Sequence, residues 1–206
     1  MRYLIGVDEA GRGPLAGPVS VGAVAVLHDF DFTLVPGVRD SKKLSEKARE
    51  KVFARMQELL GSKVLRFAVS TSSATYIDTY GIVPAIKRAL AEALGKLELD
   101  PSECSVLLDG SLSAPPEYKE QKTIIRGDDS EPVISMASIV AKVMRDRMMI
   151  RLAEKFPLYG FDIHKGYGTS AHRKVIKQSG LCDLHRVTFC TRLLSRPVSR
   201  LTSRIH

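Results

Sequence analysis

Residues 2–27 have the sequence RYLIGVDEAGRGPLAGPVSVGAVAVL, in which two apolar runs flank a glycine-rich connection. The first run, residues 2–8, is short and mostly apolar, which predicts a strand. The second run, residues 17–27, is nearly all apolar or small, a pattern typical of a strand that is buried on both faces. The connection combines glycine with proline and predicts a tight turn whose backbone stays close to another part of the molecule.

Predicted helices and strands follow one another along the rest of the chain. Apolar periodicity, caps and breakers predict helices over residues 45–60, 84–97, 132–156 and 170–179, and strands over residues 63–70, 104–109 and 122–126. Ser45 is a suitable cap for the first helix, while Leu60 near its end is predicted to face the core. In the long helix, Ile139, Val143 and Ile150 are predicted to point inward. The order of the elements indicates an α/β fold with a mixed sheet.

The length of 206 residues is typical of one domain with a small appendage. We expect a main domain over residues 1–180 and a basic tail over residues 181–206 that is helical and packs on the same domain. Five arginines spread along this tail: Arg186, Arg192, Arg196, Arg200 and Arg204. The formal net charge of +8 is compatible with a partner that carries phosphates, although charge alone is weak support.

The cysteines and the apolar stretches indicate where the protein works. Three cysteines without a CxxC pair predict neither a disulfide framework nor a zinc site, and a reducing compartment is the simplest interpretation. The apolar run at the N-terminus is too short for a signal peptide, and no stretch approaches the length of a membrane span. We therefore expect a cytoplasmic protein that does not engage a membrane. We also expect the protein to be a monomer.

Acidic residues follow three of the predicted strands. Asp8 and Glu9 end the first strand, Asp109 ends the fourth, and Asp128 with Asp129 follows the fifth. Ligands in α/β sheets gather beyond strand ends, so these carboxylates could converge. Their mutual repulsion would be relieved by a divalent cation, and oxygen ligands select Mg²⁺ or Mn²⁺. Two such ions roughly 4 Å apart are a known device for phosphodiester hydrolysis. The alternative is that these aspartates are ordinary turn formers.

Two short motifs could bind a nucleic acid, and each also has a plain structural interpretation. Gly11, Arg12 and Gly13 could form a tight turn with a solvated arginine, or bare backbone that a ribose 2′-hydroxyl can approach. Lys42 and Lys43, just before a predicted helix, could be a solvated charge cluster or could meet phosphates.

Two further segments contain aromatic or charged residues whose role can be weighed. In residues 164–169, Tyr167 could be buried in a turn, or could stack on a sugar or base beside Lys165. Residues 145–147, an Arg-Asp-Arg sequence within the long helix, favour an exposed ladder of ion pairs.

Taken together, the motifs of this chain resemble those of the ribonuclease HII family. The matching segments are residues 6–19, 40–44, 108–110, 127–128, 137–143, 164–169 and 185–186. They occur in the family's order and cover nearly the whole chain. The first segment and the one around Ser138 are highly specific, whereas the lysine pair and the Asp-Gly pair are not.

The resemblance implies a ribonuclease H-like fold, with a mixed five-stranded sheet flanked by helices. It implies an endoribonuclease that cuts the RNA strand of RNA–DNA hybrids and cuts at single ribonucleotides in duplex DNA, leaving 3′-hydroxyl and 5′-phosphate ends. It also implies the residues of the site. The metal-binding carboxylates would be Asp8, Glu9, Asp109 and Asp128, with Asp129 as a rival to the last; Gly11, Arg12 and Gly13 would test the 2′-hydroxyl, and Tyr167 would lie against the deoxyribose at the RNA–DNA junction.

Three other functions remain open at this point. A junction resolvase or an integrase would use the same metal chemistry on DNA. A nucleic-acid-binding module would not need acids after three strands. A basic α/β scaffold protein would have no salt-dependent affinity for hybrids. Incubation with duplex DNA that contains one ribonucleotide would discriminate between these functions.

Overall fold

A computed structural model describes residues 2–38, 44–60 and 64–194. A five-stranded mixed sheet forms its centre, with the strand order β3-β2-β1-β4-β5. The strands are β1 (Tyr3–Ala10), β2 (Val19–Leu27), β3 (Leu65–Ser72), β4 (Cys104–Asp109) and β5 (Glu120–Ile124). β1 pairs antiparallel with β2, and β2 with β3, whereas β1 and β4, and β4 and β5, are parallel. The predicted mixed α/β sheet is confirmed.

Eight α-helices surround this sheet in the described ranges. They are α1 (Glu46–Leu60), α2 (Ala74–Tyr80), α3 (Ile82–Gly95), α4 (Gly127–Ser130), α5 (Pro132–Lys155), α6 (Phe161–His164), α7 (Ser170–Ser179) and α8 (Val187–Leu194). Short 3₁₀ turns occur at Phe32–Leu34, Pro101–Glu103 and Pro157–Tyr159. None of the described helices combines the length and the apolar composition that a membrane span needs.

β2 is buried on both faces because a separate core lies on each side of it. Val21 and Ala23 belong to the core formed with α3, and Val24 and Val26 to the core formed with α1 and α5. This arrangement explains the nearly unbroken apolar sequence of the strand, and the prediction for residues 17–27 is confirmed in this respect.

Glycines bring α5 unusually close to the central strands. A Cβ on Gly6 of β1 would be 2.2 Å from the carbonyl oxygen of Val133, and one on Gly22 of β2 would be 2.5 Å from that of Ala137. Because side chains alternate along a strand, Asp8 leaves β1 on the same face as Gly6, toward α5. The long helix is thereby fixed against the face that carries the first candidate carboxylate.

The helices confirm some of the predictions and differ from others. Helix α2 was not predicted; it has seven residues and lies between a capping Ser73 and Gly81, too short for a periodic pattern. Ser45 does cap α1, since its hydroxyl accepts from the N–H of Ala48 at 3.2 Å. The inward orientation of Leu60 and Ile150 was wrong, because both side chains are exposed.

Beyond residue 180 the chain enters α8, in which Cys190 is buried. The residues beyond 194, which include Arg196, Arg200 and Arg204, lie outside the described ranges, as do Lys42 and Lys43. The proposed division of the chain at residue 180 stays a prediction.

Candidate functional site

Carboxylates from three elements meet at one edge of the sheet. The parallel ladder of β1 and β4 ends where Val7 pairs with Leu108, so Asp8 and Asp109 follow side by side. Asp128 is the second residue of α4, which follows β5. One carboxylate oxygen from each of Asp8, Asp109 and Asp128 lies within 4.8 Å of the other two. These three residues, called the carboxylate site below, come from the three segments that the sequence had singled out.

Short contacts hold this part of the sheet edge together. The backbone N–H of Gly127 donates to Oδ1 of Asp109 at 2.7 Å, which joins the end of β4 to the start of α4. The hydroxyl of Ser135 donates to the backbone carbonyl of Asp128 and so joins α4 to α5. The positions of Asp109 and Asp128 are therefore fixed relative to each other and to the long helix.

The charge of Asp8 is strongly disfavoured. Burial, together with the negative charges of Glu9 and Asp109, raises the pKa of Asp8 to about 8, although hydrogen bonds from the Ser138 hydroxyl and from the backbone N–H of Glu9 favour the ionised form. Such a group is neutralised either by a proton or by a cation. Closely spaced carboxylate oxygens suit a hard divalent ion, so the residues present fit Mg²⁺ or Mn²⁺.

Glu9 has a different environment from the other three predicted ligands. Its Oε1 accepts from Nη1 of Arg12 at 3.2 Å. Burial raises the pKa of Glu9, and the hydrogen bond and charge of Arg12 partly offset that rise. Within the described part of the chain, the close group of carboxylate oxygens comprises Asp8, Asp109 and Asp128, without Glu9. The role of Glu9 as a metal ligand stays a prediction.

The structure separates Asp128 from its neighbour Asp129. Asp128 is buried, whereas Asp129 is exposed and forms an ion pair with Arg126 at 3.0 Å. The oxygen of Asp128, not of Asp129, belongs to the carboxylate site. This geometry favours Asp128 as the ligand.

A buried arginine binds the backbone of the Gly11-Arg12-Gly13 segment. Arg186 donates to the backbone carbonyls of Gly11 at 2.6 Å, Arg12 at 2.9 Å and Gly17 at 3.0 Å. Its side chain is fully buried. No role was predicted for this arginine, because its contacts with backbone carbonyls far away in the chain leave no local signal in the sequence.

A second buried arginine joins this segment to the one that contains Tyr167. Arg145 donates to the carbonyls of Pro18 at 2.9 Å, Ala16 at 3.3 Å and Lys165 at 3.0 Å. Gly11, with a φ of 88°, has no room for a side chain, since a Cβ there would be 2.0 Å from Nε of Arg145. Residues 11–18 and 165–167, held together in this way, are called the recognition loops below.

The predicted ladder of exposed ion pairs over residues 145–147 was therefore wrong for Arg145 and, as regards exposure, for Asp146, because both side chains are buried. Arg145 is fully buried because its side chain points toward the recognition loops. The other two residues do form ion pairs: Asp146 accepts from Lys142 at 2.8 Å, and Arg147 donates to Glu50 at 2.5 Å.

The two predicted contact residues of the second recognition loop have contrasting positions. Lys165 is buried, and its ammonium group donates to the backbone carbonyl of Asp162 and lies 4.0 Å from Glu46. Its part in binding phosphates stays a prediction. The side chain of Tyr167 is 42% exposed, so it is not the buried turn residue that was the alternative. The ammonium group of Lys142 lies 5.6 Å from the centroid of its ring.

Comparisons with known proteins identify the family to which this chain belongs. A sequence model of the family described as Ribonuclease HII matches residues 5–192. The chain is 46% identical over 187 residues to ribonuclease HII of Ruminiclostridium cellulolyticum, covering 91% of this chain and 69% of that protein. It is 47% identical over 184 residues to ribonuclease HII of Geobacter metallireducens, covering 89% and 82%.

Solved structures support the same assignment. The fold is similar to that of a chain in the PCNA–RNase HII complex from Archaeoglobus fulgidus, with a TM-score of 0.74 and 27% identity over 95% of this chain and 98% of that one. The expected ribonuclease H-like fold is confirmed. The chain belongs to the ribonuclease HII family and is a metal-dependent endoribonuclease.

Proposed function

We propose that this enzyme hydrolyses the RNA strand of RNA–DNA hybrids and also cuts at single ribonucleotides within duplex DNA, leaving 3′-hydroxyl and 5′-phosphate ends. The observation that carries the proposal is the convergence of three carboxylate oxygens within 4.8 Å of one another. The Arg12–Glu9 contact connects this convergence with the recognition loops, because Glu9 directly follows Asp8.

Asp8, Asp109 and Asp128 would hold the divalent ions, with Glu9 as a further ligand once its contact with Arg12 is given up. Two bound ions of this kind, Mg²⁺ or Mn²⁺, would activate the attacking water and would neutralise the charge that develops on the phosphate and on the leaving oxygen. The hydroxyl of Ser138 would hold Asp8 in its ionised form, since it hydrogen-bonds to that carboxylate.

The backbone of residues 11–13 would distinguish ribose from deoxyribose. Packing inside the chain accounts for Gly11, where Arg145 occupies the space of a side chain. It does not account for Gly13, because a Cβ there would meet nothing within 4 Å. A glycine at an open position leaves the backbone accessible to a sugar, which supports close approach of a 2′-hydroxyl at this point.

Tyr167 would contact the deoxyribose at the junction between RNA and DNA. Its ring is partly exposed and lies near the cation of Lys142, which could meet an adjacent phosphate. An aromatic ring beside a cation suits stacking on one unit of a nucleic acid while its backbone is held. Lys165, and Lys42 and Lys43 outside the described ranges, are proposed to contact phosphates as well.

One cleavage assay tests the proposal. Purified protein with Mn²⁺ or Mg²⁺ is incubated with duplex DNA that contains one ribonucleotide, with an RNA–DNA hybrid and with plain duplex DNA, each with and without chelator. We expect cutting of the first two substrates that the chelator abolishes. Cleavage of plain DNA would support a resolvase or integrase instead, and binding without cleavage would support a binding module.

The proposed setting is a monomer in the cytoplasm. The described cysteines, Cys104, Cys182 and Cys190, are all free thiols, in keeping with a reducing compartment. Size-exclusion chromatography with light scattering would test the oligomeric state.

A further inference from the structure

Three histidines pack together behind Tyr167. The rings of His164 and His172 are stacked, with centroids 4.3 Å apart and planes 16° from parallel. Nε2 of His172 lies 3.0 Å from Nε2 of His185, and both of these side chains are buried. His164, His172 and His185, called the histidine cluster below, come from α6, α7 and the segment before α8.

The hydrogen-bond partners of His172 and His185 determine which ring nitrogens carry a proton. Nδ1 of His172 lies 2.9 Å from the carbonyl oxygen of Tyr167, which can only accept, so this nitrogen carries the proton. At the other end, the backbone N–H of Cys182 donates to Nδ1 of His185 at 2.9 Å, closer than the carbonyl of the same cysteine at 3.2 Å. Neutral His185 therefore carries its proton on Nε2 and donates it to the bare Nε2 of His172. The two deductions, made from opposite ends, agree.

His164 has equally definite partners on the other side of Tyr167. Its Nε2 lies 2.6 Å from the carbonyl oxygen of Tyr159 and must donate, and its Nδ1 accepts from the backbone N–H of Gly166 at 3.2 Å. The histidine cluster thus bonds to the backbone N–H that precedes Tyr167 and to the carbonyl of Tyr167 itself.

We propose that His164 and His172, with His185 behind them, are positioning residues that fix the backbone on both sides of Tyr167 and thereby orient its ring toward the substrate. This inference rests on the proposed function, because it needs Tyr167 to contact the RNA–DNA junction. The bond between Nε2 of His172 and Nε2 of His185 forms only when one of these two nitrogens is bare, which fixes the pattern of protonated nitrogens.

The environment keeps His172 and His185 neutral. Protonation of His172 would place an N–H on Nε2 against the N–H of His185, unless His185 moved its own proton to Nδ1 and lost the hydrogen bond from the N–H of Cys182. In the described part of the chain, the titratable groups that act on His172 are His164 and His185, and those beside His185 are His164, His172, Tyr159 and the thiol of Cys182. Burial lowers the pKa of His172 to about 4 and lowers that of His185, and the neighbouring histidines act in the same direction.

Heteronuclear NMR of the imidazole nitrogens in the full chain tests the protonation pattern. At neutral pH we expect His172 to be protonated on Nδ1, and His164 and His185 to be protonated on Nε2. A proton on Nε2 of His172, or a charged His172 at neutral pH, would overturn the proposal whatever the substrate of the enzyme proves to be.

Cleavage assays with matched variants test the link to Tyr167. His172→Phe keeps the ring but removes the donor to the Tyr167 carbonyl, and loss of one hydrogen bond should reduce junction cleavage relative to hybrid cleavage about fivefold. His172→Asn offers an amide N–H near the position of Nδ1 and should restore most of the ratio. Both variants are first compared with the wild type by circular dichroism and thermal melting, and His164→Phe serves as a second probe if His172→Phe does not fold.

The decisive comparison uses Tyr167→Ala as the background. If the histidine acts through Tyr167, His172→Phe should not change the ratio of the two activities once the tyrosine is absent. A further fall of the ratio in that background, or an equal loss on both substrates in the wild-type background, would overturn the positioning role. Equal losses from Tyr167→Ala alone would instead count against the proposed function of Tyr167 and leave the NMR result to stand separately.

Discussion

The carboxylate site and the recognition loops place buried charge in opposite ways. In the carboxylate site, acidic side chains crowd together, and burial with the neighbouring negative charges raises the pKa of Asp8 to about 8. In the recognition loops, two buried guanidinium groups meet backbone carbonyls, and burial with the nearby charge of Arg145 lowers the pKa of Arg186 to about 10. The first region attracts a cation from solution, whereas the second uses its own cations to fix the backbone. Chemistry and substrate positioning should therefore fail separately on mutation.

The largest expected effect is at the carboxylate site. Asp109→Asn removes one negative charge from the group of oxygens and should reduce cleavage of both substrates on the order of 1,000-fold, while hybrid binding is retained. Asp129→Asn is the matched control, because the exposed Asp129 is paired with Arg126 and should be dispensable. Initial rates in Mn²⁺ and a binding titration measure both effects. Full activity of the Asp109 variant would refute the assignment of the carboxylate site.

Removal of a buried arginine should destabilise the recognition loops and the whole fold. Arg145→Met leaves three carbonyl groups without their donor and should lower the free energy of unfolding by about 3 kcal/mol. Arg147→Met, in the same helix, loses a partly exposed ion pair with Glu50 and a contact with the ring of Phe53, and should cost about 1 kcal/mol. Urea unfolding of the metal-free proteins measures the difference. Equal costs would mean that the buried hydrogen bonds of Arg145 contribute little.

These two regions differ, for a physical reason, in how much of their structure can be predicted from the sequence. Acids that follow strands leave a local signal, and parallel pairing of β1 with β4 brings Asp8 beside Asp109 without further information. The unbroken apolar sequence of β2 likewise predicts that this strand is buried. The partners of Arg145 leave no such signal, because Pro18 is 127 positions away and contributes only a backbone carbonyl.

Helix α2 and the histidine cluster also could not be predicted from the sequence. A seven-residue helix such as α2 shows barely two turns of periodicity, and the length of a run could not distinguish it from a loop. His172 and His185 meet only after α7 and the segment before α8 have packed together, so each is a lone histidine in the sequence. Sequence patterns therefore predicted the sheet and its acids, while the contacts that support the recognition loops depended on tertiary packing.

A smaller and more selective effect is expected at Tyr167. Tyr167→Ala removes the partly exposed ring and should reduce cleavage at a single embedded ribonucleotide about tenfold more than cleavage of a continuous hybrid. Tyr80→Ala, at an exposed tyrosine that ends α2, is a suitable control and should leave the ratio unchanged. The measurement is kcat/KM on the two substrates. Equal losses on both would show that the recognition loops do not read the junction through this ring.

The last expected effect is a pH dependence of stability that comes from His172. Because the pKa of His172 in the folded protein, about 4, lies below its ordinary value of 6.5, the unfolded chain binds the proton more readily between these values. Stability from neutral His172 is therefore complete above pH 6.5 and is lost as the pH falls toward 4. His172→Asn should remove about 2 kcal/mol of this loss, or roughly 6 °C in the fall of Tm between pH 7 and pH 4.5. His28→Gln, a change at an exposed histidine outside the histidine cluster, is the control variant. If the His172 variant followed the wild-type curve, the pKa of His172 would be the same in the folded and the unfolded protein, which would contradict the buried, neutral state inferred for this ring.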